Sequence, residues 1–433
     1  MKQRYAITYI LILLWMIAGC TPTIIPPTPS GEGLALDRVV VVGSCLAAGM
    51  SNSEVRQAPG LPPVEVPFGG FYKSGQTYSF ANIVSSSLER AGAPPLRQPT
   101  IGEEGSGHLK IATVVAPKCE EGLLDAVLEW QDSQANWQSQ GPGDEFDNLA
   151  IPHIMLRDVF KGSTNYNNPY ATWLIGRQND TLCYSDFVSQ KNASLNLIAL
   201  GMEDVLYYAY NGGGEGNPYP MTEVDLFETN YRRLLQVLLQ NSQSQAVILN
   251  IPDVTKMPFF TKMTHQYTDP TTCEKSTMYV EDNNGQAIPV GEQDLVLLSA
   301  RHAIETGRGT EANPLPEKLV LDQSEITEIR ARITAYNNAL DAMAKGYNGQ
   351  GTRVVVVDIY QLFERVSQGT YDAGIPVSAT YFNGGFYSLD GMMPTPRGQA
   401  MIANKVLETL QEKFPKLSLP TVSISSYPDI RVP

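Results

Sequence analysis

Short runs rich in apolar residues recur along the chain between polar stretches. They lie at residues 38–43, 147–152, 194–201, 245–253 and 353–360, and β-branched residues predominate in the first and the last. The first of them, RVVVVG, shows no alternation of apolar and polar positions. A strand buried on both faces of a sheet has this pattern, whereas a half-exposed strand alternates. The runs therefore predict the strands of a buried parallel sheet.

Between these runs, apolar residues recur at the three- and four-residue spacing of an amphipathic helix. The predicted helices span residues 78–92, 223–240, 322–346 and 395–414. Asp322 or Ser324 would be a suitable N-cap for the third helix, because a short polar side chain can accept a hydrogen bond from the first turn. Pro396 falls in the first turn of the last helix, where its missing N–H leaves no hydrogen bond unmade.

Alternating strands and helices predict an α/β fold with a doubly wound parallel sheet flanked by helices, in a three-layer, flavodoxin-like arrangement. We expect one domain over residues 34–433. In such sheets, ligands bind beyond the carboxyl ends of the strands. Two long insertions, 93–144 and 254–320, are rich in turn-forming residues. Insertions of this length often form lids or rims around a site.

Residues 1–19 have the pattern of a secretory signal peptide. Lys2 and Arg4 precede an apolar run that ends in Ile-Ala-Gly before Cys20. This ending resembles a bacterial lipobox, which implies that Cys20 carries lipid in the mature protein. Residues 20–33 are rich in proline and threonine and predict an extended tether. Because Thr21 stands where aspartate would favour retention in the inner membrane, we expect anchoring in the outer membrane, on its periplasmic or cell-surface side.

The chain is acidic, with a formal net charge of −14 at pH 7. Loss of the signal segment, which carries two positive charges and no acid, changes this to −16. An acidic surface repels phosphate backbones and argues against nucleic acid as a partner. It also argues against a basic patch for anionic lipids, so contact with the membrane is expected through the lipid anchor only.

Four cysteines follow Cys20: Cys45, Cys119, Cys183 and Cys273. Some of them could pair in an oxidising compartment, but their wide spacing does not identify the pairs. The spacing also matches no metal-binding pattern. We expect neither a cofactor nor a bound metal.

The ends of the predicted strands carry the most informative residues. The stretches are VVVVGSCLAAG (39–49), NLAIPHIMLRD (148–158), IALGMEDVLYYA (198–209) and SLDGMMPTP (388–396). In their order and composition they resemble the four blocks of the SGNH, or GDSL, hydrolase family, and the resemblance covers nearly all of the mature chain. It implies the family's α/β fold and an ancestral activity on esters.

The same resemblance implies that the hydrolytic residues have been replaced. The family has a nucleophilic serine where this chain has Cys45, and a glycine where it has His153. An asparagine that donates to the oxyanion becomes Glu203, and the histidine base becomes Met393. Asp390 alone remains of the catalytic set. The surrounding framework positions are kept: Gly43, Leu46, Gly49, Gly201, Asp204 and Gly391.

These replacements remove the parts that activate a nucleophile. Met393 has no useful proton acceptor, and loss of one triad member costs about 10⁴–10⁶ in rate in well-studied cases. An ionised Glu203 would oppose the negative charge that develops on an oxyanion, unless burial kept it protonated. We expect the neighbouring Asp390 to favour that protonation. Cys45 could equally be a packed, inert side chain.

Three functions follow from this set of residues. The first is a lipoprotein that has lost catalysis and binds a glycan or an acylated ligand, a ligand class taken from the family by analogy. The second is an esterase or acyl hydrolase with Cys45 as nucleophile and His153 as a relocated base, oriented by Glu203 or Asp390. The third is a transition-metal site formed if the five residues converge. Tyr207, Tyr208 and Tyr210 could line a binding rim in the first case, beside the glycine-rich stretch that follows them.

Overall fold

The computed structural model describes residues 33–57, 65–116, 119, 125–133, 145–160, 168–175, 182–269, 271–282, 284–349 and 351–430. The predicted signal segment, Cys20 and the tether up to residue 32 lie outside the described residues. None of the described helices combines the length and apolar character needed to cross a bilayer.

The strands are numbered in chain order. They are β1 (Val39–Gly43), β2 (Glu54–Gln57), β3 (Glu65–Phe68), β4 (His108–Val115), β5 (Asp125–Gln131), β6 (Leu195–Ala199), β7 (Gln245–Leu249), β8 (Gln266–Thr268), β9 (Lys275–Thr277), β10 (Tyr279–Glu281), β11 (Ala287–Pro289), β12 (Leu295–Val296), β13 (Val320–Leu321), β14 (Val354–Val357), β15 (Thr370–Asp372) and β16 (Ile375–Val377).

The α-helices follow the same order. They are α1 (Cys45–Ala48), α2 (Lys73–Thr77), α3 (Phe80–Arg90), α4 (Pro169–Ile175), α5 (Tyr184–Ser189), α6 (Glu203–Tyr210), α7 (Val224–Leu238), α8 (Pro258–Thr261), α9 (Arg301–Glu305), α10 (Gln323–Tyr347), α11 (Ile359–Gln368) and α12 (Pro396–Lys413).

The central sheet is parallel, with the order β1-β6-β7-β14. Residues 147–151 extend it beyond β1: the Val41 N–H donates to the Asp147 carbonyl at 2.8 Å, and the Leu149 N–H donates to the Val41 carbonyl at 2.9 Å. Counting this edge segment, the order is that of a flavodoxin-like sheet, in which the direction of strand addition reverses between β1 and β6. The predicted doubly wound fold is confirmed, and ligand chemistry is expected where β1 and β6 end.

Both faces of the sheet are covered, since every residue of β1, β6 and β7 is buried. Among the helices, α3 and α11 pack against α12, while α7 packs against α10 and α5. The predicted helix boundaries agree with the structure to within about two residues. Asp322, rather than Ser324, caps α10: its side chain accepts from the Glu325 N–H, and Glu325 accepts in return from the Asp322 N–H.

Both predicted insertions contain secondary structure of their own. The first carries the hairpin β4–β5, and the second carries β8–β9 and β10–β11. The second also has a small apolar cluster separate from the main core, which includes Tyr267, Met278 and Leu315. A disulfide between Cys119 and Cys273 joins the two insertions across 154 residues of sequence. The cysteine pairing that the sequence left open is therefore Cys119–Cys273, with Cys45 and Cys183 free.

Candidate functional site

The candidate site begins where β1 and β6 end side by side. β1 ends at Gly43 and Cys45 starts α1, while Glu203 starts α6 shortly after β6. A Cβ on Gly43 would lie 2.9 Å from the Ala199 carbonyl oxygen of β6, so the close approach of the two strand ends requires glycine. The Cys45 N–H then donates to Glu203 Oε1 at 3.2 Å. Because β1 and β6 end side by side, two of the predicted site residues, Cys45 and Glu203, are in direct contact.

His153 joins this pair from the segment that follows the sheet edge. Its backbone has φ of +66°, in the left-handed region that favours glycine, which costs a residue with a Cβ on the order of 1–2 kcal/mol. The His153 N–H donates to Cys45 Sγ at 3.2 Å, and His153 Nδ1 lies 3.7 Å from the same sulfur. His153 therefore contacts the thiol through both its backbone and its ring.

A tyrosine completes the cluster. The Tyr207 hydroxyl hydrogen-bonds to His153 Nδ1 and lies 3.8 Å from Cys45 Sγ. His153 Nε2 is buried without a hydrogen-bond partner among the described residues. The thiol and the Tyr207 hydroxyl thus compete for the same imidazole nitrogen, and within the described structure neither Glu203 nor Asp390 orients the ring.

Sequence reasoning assigned Tyr207 to a binding rim and missed this contact. The spacing in the sequence could have predicted that Tyr207 lies beside Glu203, because residues four apart on a helix share a face. Glu203 is 2% exposed and Tyr207 is 3% exposed. The face that bears the candidate site residue is therefore the buried face of α6.

Burial favours the uncharged forms of the Cys45 thiol and the His153 imidazole. It raises the pKa of the Cys45 thiol well above its usual value, and the nearby Glu203 adds to the effect. Burial also lowers the pKa of His153 to about 3. A thiolate–imidazolium pair is consequently disfavoured at both partners, because each charged form would have to exist without water.

Burial also favours the uncharged form of Glu203. Burial raises its pKa to about 7, while its own hydrogen bonds, including those with Ser44 and Cys45, oppose the shift. The neighbouring carboxylate that raises the pKa further is Asp204. Our sequence interpretation assigned that influence to Asp390, which instead faces a different set of groups.

Asp390 is the acceptor for five hydrogen bonds within its own neighbourhood. Its Oδ2 accepts from the Ser53 N–H at 3.1 Å and the Ser53 hydroxyl at 3.0 Å. Its Oδ1 accepts from the Ser388 hydroxyl at 2.9 Å and from the Met392 and Met393 N–H groups, both at 2.8 Å. The carboxylate ties the loop after α1 to the loop before α12, and no hydrogen bond in the described structure joins it to Cys45, His153 or Glu203.

Met393, at the position of the family's base, is 4% exposed and belongs to the main apolar core. Of the five predicted site residues, the structure brings Cys45, His153 and Glu203 together, and it places Asp390 and Met393 in a separate arrangement. Over the described ranges, no group of three or more histidine, cysteine, aspartate or glutamate side chains is placed to hold a metal ion.

Two open clefts are bordered by the insertions, and neither includes the cluster at the candidate site. The first, which we call the tyrosine cleft, has a volume of about 720 Å³ and is lined by Asn52, Tyr72, Tyr78 and residues of β4, among others. The second, which we call the charged cleft, has a volume of about 780 Å³ and lies between residues 210–218 and 298–319. Each is bordered by one insertion, yet none of the five predicted site residues lines either cleft. Of the three tyrosines predicted for a rim, Tyr210 alone lines the charged cleft.

No family model matches the sequence, and no curated protein matches it. Among solved structures, the chain is similar to a protein assigned as a GDSL-like lipase from Parabacteroides merdae, with 10% identity over 87% of this chain and 98% of that one and a TM-score of 0.35. It is also similar to a gut microbial diltiazem-metabolizing enzyme, with 9% identity and a TM-score of 0.31. That match covers 88% of this chain and 49% of the other, so the chain spans about half of that protein's length. With TM-scores below 0.5, the fold assignment rests on the parallel sheet and its strand order.

Proposed function

We propose that this protein is a non-hydrolytic lipoprotein on an SGNH-like fold, anchored in the outer membrane through Cys20, which binds a glycan or an acylated glycan fragment. The observation that carries the proposal is the closure of the reactive positions. Cys45 is 2% exposed and His153 is 6% exposed, and the Tyr207 hydroxyl is hydrogen-bonded to the imidazole nitrogen nearest the thiol. An ester carbonyl cannot reach this sulfur without displacing packed side chains.

The chemistry within the cluster supports the same conclusion. Ester hydrolysis needs a deprotonated nucleophile and donors aimed at the developing oxyanion. The buried thiol resists deprotonation, and the imidazole beside it resists taking up the proton. The Cys45 backbone N–H, which could otherwise donate to an oxyanion, already donates to the Glu203 carboxyl group. The cluster therefore lacks both activation and charge stabilisation.

The proposed compartment has support from two features. The signal-like segment before Cys20 resembles that of a secreted lipoprotein, and the Cys119–Cys273 disulfide fits an oxidising environment. A glycan is the ligand class that both the family analogy and the open, polar clefts favour.

A second function is favoured by one distance. Cys45 Sγ and His153 Nδ1 lie 3.7 Å apart, within reach of a proton transfer if the Tyr207 hydroxyl moved away. In this alternative, the cluster opens first, and Cys45 gives its proton to His153 and attacks the ester carbonyl. The alcohol then leaves with that proton, and water hydrolyses the thioester to release the acid and restore the thiol. The two proposals differ in whether removal of Cys45 changes ester turnover.

The test is p-nitrophenyl acetate hydrolysis by the soluble chain from residue 34 onward, in a Cys183→Ala background that removes the other free thiol. We expect Cys45→Ala and His153→Ala to turn over the ester at the same near-background rate as the parent. Active hydrolases of this type lose about 10⁴-fold or more when the nucleophile is removed. Sustained turnover that disappears with Cys45→Ala would establish the esterase and refute the non-hydrolytic proposal.

A further inference from the structure

We propose that the tyrosine cleft is the glycan site and that it selects short, uncharged saccharides; this inference rests on the proposed function and adds the location and the sugar class. A pyranose ring has a flat face of C–H groups and an edge of hydroxyls. Its site therefore needs exposed aromatic rings next to neutral hydrogen-bonding groups. The cleft combines both, and its volume of about 720 Å³ lies within the roughly 300–1,000 Å³ typical of small-molecule sites.

Aromatic rings form one wall of the cleft. Tyr72 and His108 stack with ring centroids 4.2 Å apart and an interplanar angle of 16°. Tyr78 lines the same cleft and is only half-buried, so its ring is the more accessible. Burial lowers the pKa of His108 and so favours its neutral imidazole, while the Glu104 carboxylate 3.5 Å away opposes the shift.

Asn52 holds the loops that line the cleft in place beside the aromatic rings. Its backbone N–H donates to the Ser388 hydroxyl at 3.1 Å, and its side-chain oxygen accepts from the Leu389 N–H at 3.0 Å. Its side-chain amide also donates to the Tyr72 hydroxyl at 3.0 Å. One residue thus connects the loop after α1, the loop before α12 and the aromatic wall. A cleft fixed in this way loses less conformational entropy when a ligand binds.

Of the two charged side chains among the described residues that line the cleft, Asp429 is in an ion pair, while Lys110 is held by a neutral amide. Lys110 donates to Gln131 Oε1 at 2.7 Å, and Asp429 is paired with Arg397. The remaining polar lining is neutral: Ser74 presents an exposed hydroxyl, while Asn52 and Thr395 are hydrogen-bonded within the protein. An uncharged sugar can hydrogen-bond to such groups without competing for an ion pair.

The charged cleft lacks the combination of several aromatic rings with neutral hydrogen-bonding groups. Among its described lining residues, Tyr210 is the one aromatic residue apart from histidine. Its ionisable lining residues are Glu54, Glu215, Arg301, His302, Glu305, Glu317 and Lys318. A neutral sugar placed there would separate several charges from water without neutralising them, which is unfavourable. The two clefts therefore differ in the ligand charge that they accept.

The experiment is isothermal titration of the chain from residue 34 onward with neutral hexasaccharides of xylose, glucose and mannose, with and without acetyl groups, and with oligogalacturonate as the charged probe. We expect one or more neutral probes to bind and Tyr78→Ala to weaken that binding at least tenfold. Tyr78→Phe should retain it, because the ring face is kept. His302→Ala, in the charged cleft, is the matched control and should bind as the parent does.

Ser74→Trp gives a second measurement at an exposed position, where the new ring would fill the tyrosine cleft with little effect on folding. It should also weaken binding at least tenfold, with an unchanged circular dichroism spectrum. Binding that Tyr78→Ala and Ser74→Trp leave intact, or that favours oligogalacturonate and depends on His302, would overturn the location and class while leaving the proposed function standing. No binding by any neutral or charged probe would count against the proposed function itself.

Discussion

Replacing both Cys119 and Cys273 by serine is expected to lower the free energy of unfolding by up to about 5 kcal/mol, the largest effect that we predict for any substitution. The bridge joins residues 154 positions apart, and in the chain-entropy account a longer closed loop restricts the unfolded chain more. The loss should appear as a lower urea midpoint of the double variant relative to the oxidised parent. The parent after reduction should show the same lower midpoint.

Cys183→Ser is the control for this comparison. Cys183 is a half-buried free thiol that takes no part in the bridge, so its replacement should change stability by no more than about 0.5 kcal/mol. Equal urea midpoints for the oxidised parent and the double variant would show that the link between the two insertions does not stabilise the fold.

Asp390→Ala is expected to lower the free energy of unfolding by on the order of 4 kcal/mol. The substitution leaves two hydroxyls and three backbone N–H groups without their acceptor, and the residues concerned, Ser53, Ser388, Met392 and Met393, are all buried. Urea unfolding of the purified variant gives the value directly. The loop that carries Met393 should also become more accessible to proteases.

Asp390→Asn separates this structural role from a catalytic one. An amide has one oxygen and one donor group, so it would direct an N–H at a neighbouring donor and lose part of the network. We therefore expect a stability between those of the parent and Asp390→Ala, with no change in ester turnover. An unchanged urea midpoint in both variants would contradict the role that we assign to the five hydrogen bonds.

The central fold could be predicted because its elements have strong periodic patterns. The run at 39–43 is continuously apolar because β1 is buried on both faces, and the helix at 395–414 has an apolar stripe that packs on α3. The strands of the insertions escaped prediction, since many of them are only two or three residues long and lack such a pattern. Their disulfide also escaped it, because chain spacing alone does not place two segments side by side.

The site was predictable in part for a similar reason. Parallel strands end at one edge, so the position of Cys45 and Glu203 in sequence implied their proximity in space. The groups that the Asp390 carboxylate contacts were not predictable from the sequence. Two of its five donors belong to Ser53, which is distant in sequence and reaches the carboxylate only because the two loops pack together. The contact of Tyr207 with His153 depends likewise on how α6 packs. Sequence position identified where residues lie, and packing determined what they contact.

The most direct test of a sealed reactive centre is iodoacetamide labelling of the folded chain, read residue by residue by peptide mass spectrometry. Cys183 is the internal reference, because it is free and only half-buried. At pH 7, Cys45 should label about 1,000-fold more slowly than Cys183, and its rate should still rise above pH 9, since burial raises the thiol pKa. In urea the two cysteines should label alike. Labelling of Cys45 at pH 6–7 at least as fast as Cys183 would mean an open, activated thiol and would contradict the account.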